Sequence, residues 1–268
     1  MQYFDVSSNK LIGSIPSISG IGLANLQTYD VSFNLLTGSI PSLTGLTNLA
    51  FFYAYLNQLT GSIPDLSSLT SLKDFDIFKN QITGSIPTIN GLANLQNFDV
   101  SNNLLSGSIP SLTGLANLEG FHVSNNQLSG AIPSLAGLTN LTGFMAANNQ
   151  LSGTVPSLAG LTKLSIFDVA KNQLSSITSL TGLNLFSYDV SDNQLTGSIP
   201  PITGVGSLFF FDNNQLTGAI PPLTGISFLN GFSAKNNQLT GPIPSLTGLT
   251  GLRFFYVDRN QLTGRFHH

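Results

Sequence analysis

The 268-residue chain contains no Cys and no Trp, and Asp, Glu, Lys and Arg together make up only 8% of it. Without thiols there is neither a disulfide framework nor a thiolate metal site, and the redox compartment leaves no mark on the sequence. A formal net charge of −3 removes the basic footprint that nucleic acid or an anionic membrane surface would require. Long apolar runs are lacking as well: clusters such as Leu208-Phe209-Phe210-Phe211 fall far below the roughly 20 residues that cross a bilayer, so no membrane insertion is expected. The start, Met1-Gln2-Tyr3-Phe4-Asp5, shows neither a basic region nor a small-residue cleavage site, so a secretion signal is expected to be absent or already removed. Hydrophobic residues nevertheless reach 41%. That is enough to bury a core, and the scarcity of charge does not mean disorder.

Catalytic material is equally sparse. His122 is the only internal histidine, since His267 and His268 read as the remnant of an affinity tag. A His-based triad or zinc site therefore lacks components, and no phosphate-binding glycine loop with Lys-Ser/Thr occurs. Neither an enzyme nor a cofactor is expected.

What is present is a repeat. Leu26-x-x-Tyr29-x-Val31-x-x-Asn34-x-Leu36-Thr37-Gly38-Ser39-Ile40-Pro41 recurs from Leu49, Leu72, Leu95, Leu118 and Leu141 with a period of 23 residues. The chain divides into one domain of twelve units: 1–25, 26–48, 49–71, 72–94, 95–117, 118–140, 141–163, 164–184, 185–207, 208–228, 229–251 and 252–268. Each unit opens with the period-2 alternation of a short strand, and Gly and Pro at fixed offsets forbid a long helix afterwards. One unit cannot bury its apolar face alone, whereas stacked units can, which predicts a solenoid with the strands side by side in a parallel sheet. The fourth position reads Phe4, Tyr29, Phe52, Phe75, Phe98, Phe121, Phe144, Phe167, Tyr188, Phe211, Phe232 and Phe255, an expected column of core rings. The ninth position is Asn in eleven of the twelve units, with Asn214 standing seventh in 208–228, and an amide that both donates and accepts suits a buried ladder between turns.

The motif Leu-x-x-Phe-x-Val-x-x-Asn-x-Leu-Thr-Gly-x-Ile-Pro resembles the plant-type leucine-rich repeat, over essentially the whole chain. The resemblance implies an α/β-type repeat solenoid: a right-handed superhelix with a parallel β-sheet on the concave face, and extended, turn and short 3-10 segments on the convex face. Proteins similar to this include receptor ectodomains, inhibitors of cell-wall polygalacturonases and an antifreeze protein, which implies a secreted or cell-surface location. Two departures are plain. The Cys-containing caps are missing, and Phe stands where Leu is commoner. With the first strand starting near residue 2 and no polar cap after Gly264, both ends are expected to expose core and to permit end-to-end self-association.

In such a fold the third, fifth, seventh and eighth positions face outward on the strands. They gather Phe51, Tyr53, Tyr55 and Phe78 beside Asp74, Asp76, Lys79 and Asp99. Exposed aromatics among charges suit a protein or carbohydrate ligand. Phe209, Phe210, Phe254 and Tyr256 with Arg253 and Arg259 form a second outward cluster. Carboxylates on neighbouring strands, Asp76 with Asp99 and Asp168 with Asp189, could be read as an acid/base pair or a calcium site. A repeated ladder, however, lacks the cleft and the unequal environments that glycoside hydrolysis needs, and the oxygens that calcium needs. On the other side, Thr37, Ser39, Thr60, Ser62, Thr83, Ser85, Ser106 and Ser108 are expected to form parallel hydroxyl rows if Thr-Gly-Ser is extended, which makes ice the alternative ligand.

Overall fold

The computed structural model describes residues 1–18, 23–226 and 228–264; His267 and His268 lie outside them. Two compact units, Met1–Pro133 and Ser134–His268, divide the chain. Main-sheet strands β1 to β6 of the first unit are Tyr3–Asp5, Thr28–Asp30, Phe51–Tyr53, Asp74–Asp76, Asn97–Asp99 and Gly120–His122. Those of the second, β7 to β12, are Gly143–Met145, Ile166–Asp168, Leu180–Asp189, Ile202–Phe210, Gly231–Ser233 and Phe254–Tyr256. Every neighbouring pair within a unit is parallel and joins equivalent residues of successive turns, as in Phe52↔Phe75↔Phe98 and Phe144↔Phe167↔Tyr188. Each unit is thus a parallel β-solenoid.

Apart from Leu180–Asp189 and Ile202–Phe210, the main-sheet strands are three residues long, because each turn must leave the sheet at once. After the last strand residue, an eighth-position side chain adopts the left-handed conformation in turn after turn, for example Phe33 at φ 51°, Lys79 at 56° and Asn102 at 56°. The ninth-position Asn then turns inward. Asn103 is buried, its Nδ2 donates to the carbonyls of Ile77 (3.0 Å) and Val100 (3.2 Å), and its Oδ1 accepts from the Ile82 amide (2.9 Å). Asn172 and Asn193 repeat the pattern in the second unit. The expected amide ladder is present, and it holds the strand exit of one turn to its neighbours.

Inside, the rings stack. Centroids of Phe52, Phe75 and Phe98 follow at 5.2 and 5.6 Å with interplanar angles of 13° and 16°, and all three side chains are fully buried. The tenth ring differs from expectation in one respect. The backbone register places Phe209, not Phe211, opposite Tyr188 and Phe232, yet the ring sequence runs through Phe211, 5.8 Å from both. Phe209 is only 2% exposed, so it belongs to the core and not to the outward cluster. Its ring uses the room over Gly206, where a Cβ would stand 2.5 Å from it.

The return path is mostly extended and turn, as expected, and differs only in its short 3-10 segments. Among the described residues there is no helical element; instead of 3-10 segments, isolated three-residue-back bonds such as Leu46 N–H to Leu43 and Leu49 N–H to Leu46 close separate turns. Gly45 at φ 88° between them stops any helical run.

Candidate functional site

On the outward face of the first unit, β3 and β4 and the residues just after them carry the expected patch. Phe51, Tyr53, Tyr55, Asp74, Asp76 and Phe78 are half-buried, while Lys79 is exposed. The aromatics touch one another: Phe51–Tyr53 at 6.3 Å, Tyr53–Tyr55 at 6.3 Å and Phe33–Tyr55 edge-on at 5.4 Å. Phe33 itself is 49% exposed. The Tyr53 hydroxyl donates to Asp74 Oδ2 at 3.2 Å, which fixes the ring beside the carboxylate.

Adjacent register brings Tyr53, Asp76, Asp99 and His122 into one row across β3 to β6. His122 Nδ1 lies 3.5 Å from Asp99 Oδ2. Reading the sequence unit by unit set this histidine aside as a lone residue; its place at the fifth position of the unit after Asp99 was the signal that joins it to the row. The fifth-position carboxylates also have a structural task. Each accepts the amide two residues on, as Asp30 does from Ser32, Asp76 from Phe78, Asp99 from Ser101 and Asp189 from Ser191 (2.9 Å in each case). They therefore secure the strand exit, and the close pairing of Asp76 with Asp99 is a by-product of the repeat.

Their environments nevertheless diverge. Burial pushes the Asp76 carboxyl up to about 7, with the Asp99 and Asp74 charges adding to it against the Phe78 amide. Burial likewise dominates at Asp74 and holds it above the ordinary carboxylate range. At Asp99 burial acts in the same sense, but the hydrogen bonds from His122 and Ser101 outweigh it and the group lies below that range. For Asp76, the folded state keeps a proton that the unfolded chain releases near 3.8. Stability attached to this group therefore falls as pH rises from about 4 to 7. Asp99 has the opposite sign: its contribution is present above the unfolded value and is lost as pH drops through the folded one. Asp76→Asn keeps an acceptor for the Phe78 amide and removes the charge. It is expected to raise the melting temperature at pH 8 by about 2–4 °C, with little change at pH 4, in thermal scans across that range. An equal shift at both pH values would contradict the assignment.

The hydroxyl side holds surprises of register. Thr37, Ser39, Thr60, Ser62, Thr83, Ser85, Ser106 and Ser108 are all exposed. Yet the backbone pairs Ser39 with Thr60 and Ser62 with Thr83, so a fourteenth position sits beside the twelfth of the next turn and the expected straight rows are sheared by two residues. The cause is the glycine between them. Gly61 has φ +77° and a Cβ there would lie 3.0 Å from Ser39 Cβ, so Thr60-Gly61-Ser62 is bent, whereas the equivalent segments of later turns lie inside strands at Gln127–Ala131 and Gln150–Thr154. Some hydroxyls also turn back on the chain, as Thr83 Oγ1 does to the Gly61 carbonyl at 3.0 Å.

Among the described residues no group of three or more His, Asp or Glu is placed to hold a metal ion, and no helix is long and apolar enough to cross a membrane.

The Leucine Rich Repeat family profile matches residues 94–115. A search of curated proteins gave no match. Among solved structures, the chain is similar to the plant peptide hormone receptor RGFR1 in complex with RGF2, at 31% identity over 98% of this chain and 48% of that one, with a TM-score of 0.78. It is also similar to the Arabidopsis receptor kinase HAESA ectodomain in complex with an extended IDA peptide hormone, at 28% identity over 98% and 50% of the two chains, TM-score 0.76. A plant ice-binding protein shares the fold at 24% identity over 97% and 80%, TM-score 0.63. The chain spans about half the length of the two receptor ectodomains.

Proposed function

Because the chain is a leucine-rich-repeat solenoid, we propose that it is a non-catalytic extracellular recognition module that binds a protein or carbohydrate ligand on the outward face of its main sheet. The observation that carries this reading is the half-buried aromatic cluster of Phe51, Tyr53 and Tyr55, locked by the Tyr53–Asp74 hydrogen bond. Rings held in place lose little entropy on binding, which is what makes such residues dominate contact energies. Carboxylates at Asp74, Asp76 and Asp99 outnumber Lys79 in the patch, so the complementary ligand here is a protein segment presenting a basic side chain next to an apolar one. The receptor structures to which the chain is similar were solved with peptide hormones, which supports the same class of ligand.

The test is selection of binders from a displayed random peptide library on the full chain, followed by titration with the synthetic peptide obtained. Tyr53→Ala combined with Tyr55→Ala is expected to weaken it by about a hundredfold, the loss of two anchor residues, with the thermal transition retained. Peptides indifferent to both substitutions would place recognition elsewhere.

A second reading is favoured by one observation: the eight hydroxyl residues from Thr37 to Ser108 are all exposed, on a face without charges between them. On this reading ice is the ligand. Recrystallisation inhibition at micromolar protein would be measured, and Thr60→Tyr with Thr83→Tyr is expected to abolish it. Absence of ice shaping by the unaltered protein would end the idea.

A further inference from the structure

The second unit carries an aromatic strip of its own. Phe210 and Phe254 lie with centroids 6.0 Å apart and planes within 23°, and Phe254 continues to Tyr256 at 5.2 Å and 23°. Phe210 is on β10 and Phe254 on β12, with β11 between them. They meet because β11 offers Gly231 at the crossing. A Cβ there would stand 2.0 Å from Phe254 Cζ, so the ring leans over the glycine and along the sheet instead of standing away from it. Both Phe210 and Phe254 remain half-buried and so accessible in part.

At the strand-exit end of the strip is a cavity of ≈ 280 Å³ lined by Asp212, Asn213, Lys235, Asn236, Asp258 and Arg259. Most of its polar groups are already fixed, Asp258 and Arg259 being exposed. Asp212 accepts from Ser233 Oγ and the Lys235 amide, both at 2.6 Å. Asn213 donates to Asp192 at 2.7 Å, and Asn236 donates to Asn213 at 3.0 Å. Lys235 Nζ sits 5.0 Å from the Tyr256 ring centre. Two carboxylates face two cations, so the cavity is close to neutral.

We propose that this face is a second binding site, for a short neutral oligosaccharide: one sugar ring lies with its C–H face on Phe254 and Phe210, and the hydroxyls of the adjoining sugar reach the amides and carboxylates of the exit cavity. A sugar combines an apolar face with hydroxyls that both donate and accept, and the site offers aromatic faces beside fixed donors and acceptors. A balanced charge does not suit a phosphate or a polyanion. Strands β10 and β11 are paired on both sides, so an extended peptide can join only at the outer edge of β12, the last strand of the sheet, and not across the rings. The site is independent of the first-unit patch and stands or falls separately.

Cellotetraose and chitotetraose, titrated calorimetrically into the full chain, are the probes. At least one is expected to bind with a Kd of about 1 mM or tighter. Phe254→Ala, Phe254→Leu and Gly231→Ala are each expected to weaken that binding by about tenfold. Phe254→Leu keeps an apolar side chain and removes only the π face, so it isolates stacking should the other two disturb folding. Tyr53→Ala in the first unit is expected to leave the affinity unchanged. The proposal is overturned if neither probe binds below about 10 mM, if Phe254→Leu binds as tightly as the unaltered protein, or if Tyr53→Ala removes the binding. Binding of tetragalacturonate alone would equally overturn a neutral-sugar site.

Discussion

Replacing Asn103 with Ala is expected to cost about 2 kcal/mol of stability, from the buried Ile82 amide left unpaired at ~1–3 kcal/mol. The amide is buried, and its partners outside its own turn are main-chain groups of the preceding one: the Ile77 carbonyl at 3.0 Å, which also accepts from Asn80 Nδ2, and the Ile82 amide at 2.9 Å. Neither can turn to water, because Ile77 and Ile82 are themselves fully buried. Asp at this position would keep the acceptor and lose the donor while burying a charge, so Asn103→Asp is expected to be no better at neutral pH. Urea unfolding with a common slope gives the measurement. A loss under about 0.5 kcal/mol, the size of an ordinary surface substitution, would show that the amide ladder is ornament and that the rings alone hold the turns together.

The rings make the second large contribution. Phe75 is fully buried between Phe52 and Phe98, with both neighbours near-parallel at 5.2 and 5.6 Å. Phe75→Ala is expected to cost about 3–5 kcal/mol, the transfer of the ring plus the cavity left behind. Phe75→Leu should cost clearly less, since a leucine refills most of the volume and forfeits chiefly the ring–ring geometry, about 0.5–1.5 kcal/mol per pair. Tyr188 supplies the control of opposite sign. It occupies the same column, is fully buried, and its hydroxyl has no hydrogen-bond partner among the described residues. Tyr188→Phe removes that stranded oxygen and is expected to stabilise by about 1 kcal/mol. If Phe75→Ala and Phe75→Leu proved equally costly, stacking geometry would matter more to the column than filled volume.

The parts legible from sequence are those set by periodicity. A ring every turn and an Asn five residues later can satisfy volume and hydrogen bonding only if equivalent residues of successive turns lie side by side, and Phe52↔Phe75 shows that they do. The first-unit patch was legible for the same reason: alternate residues of one strand face one way, and Phe51, Tyr53 and Tyr55 had no place inside. His122 was harder, because its partner Asp99 is 23 positions away and only register joins them.

The amino-acid order by itself determined the solenoid, its core rings, its amide ladder and, Phe209 apart, the outward clusters, since each follows from a local pattern repeated turn after turn. Three matters were decided only in three dimensions. The hydroxyl rows are sheared because Gly61 takes a positive φ and packs under Ser39. Phe209 and Phe211 are both buried because Gly206 leaves room for a second ring. Phe254 reaches Phe210 because Gly231 leaves the crossing open. In each case the deciding quantity is the space left by a missing side chain on a neighbouring strand. That depends on packing between turns and not on the identity of residues within one.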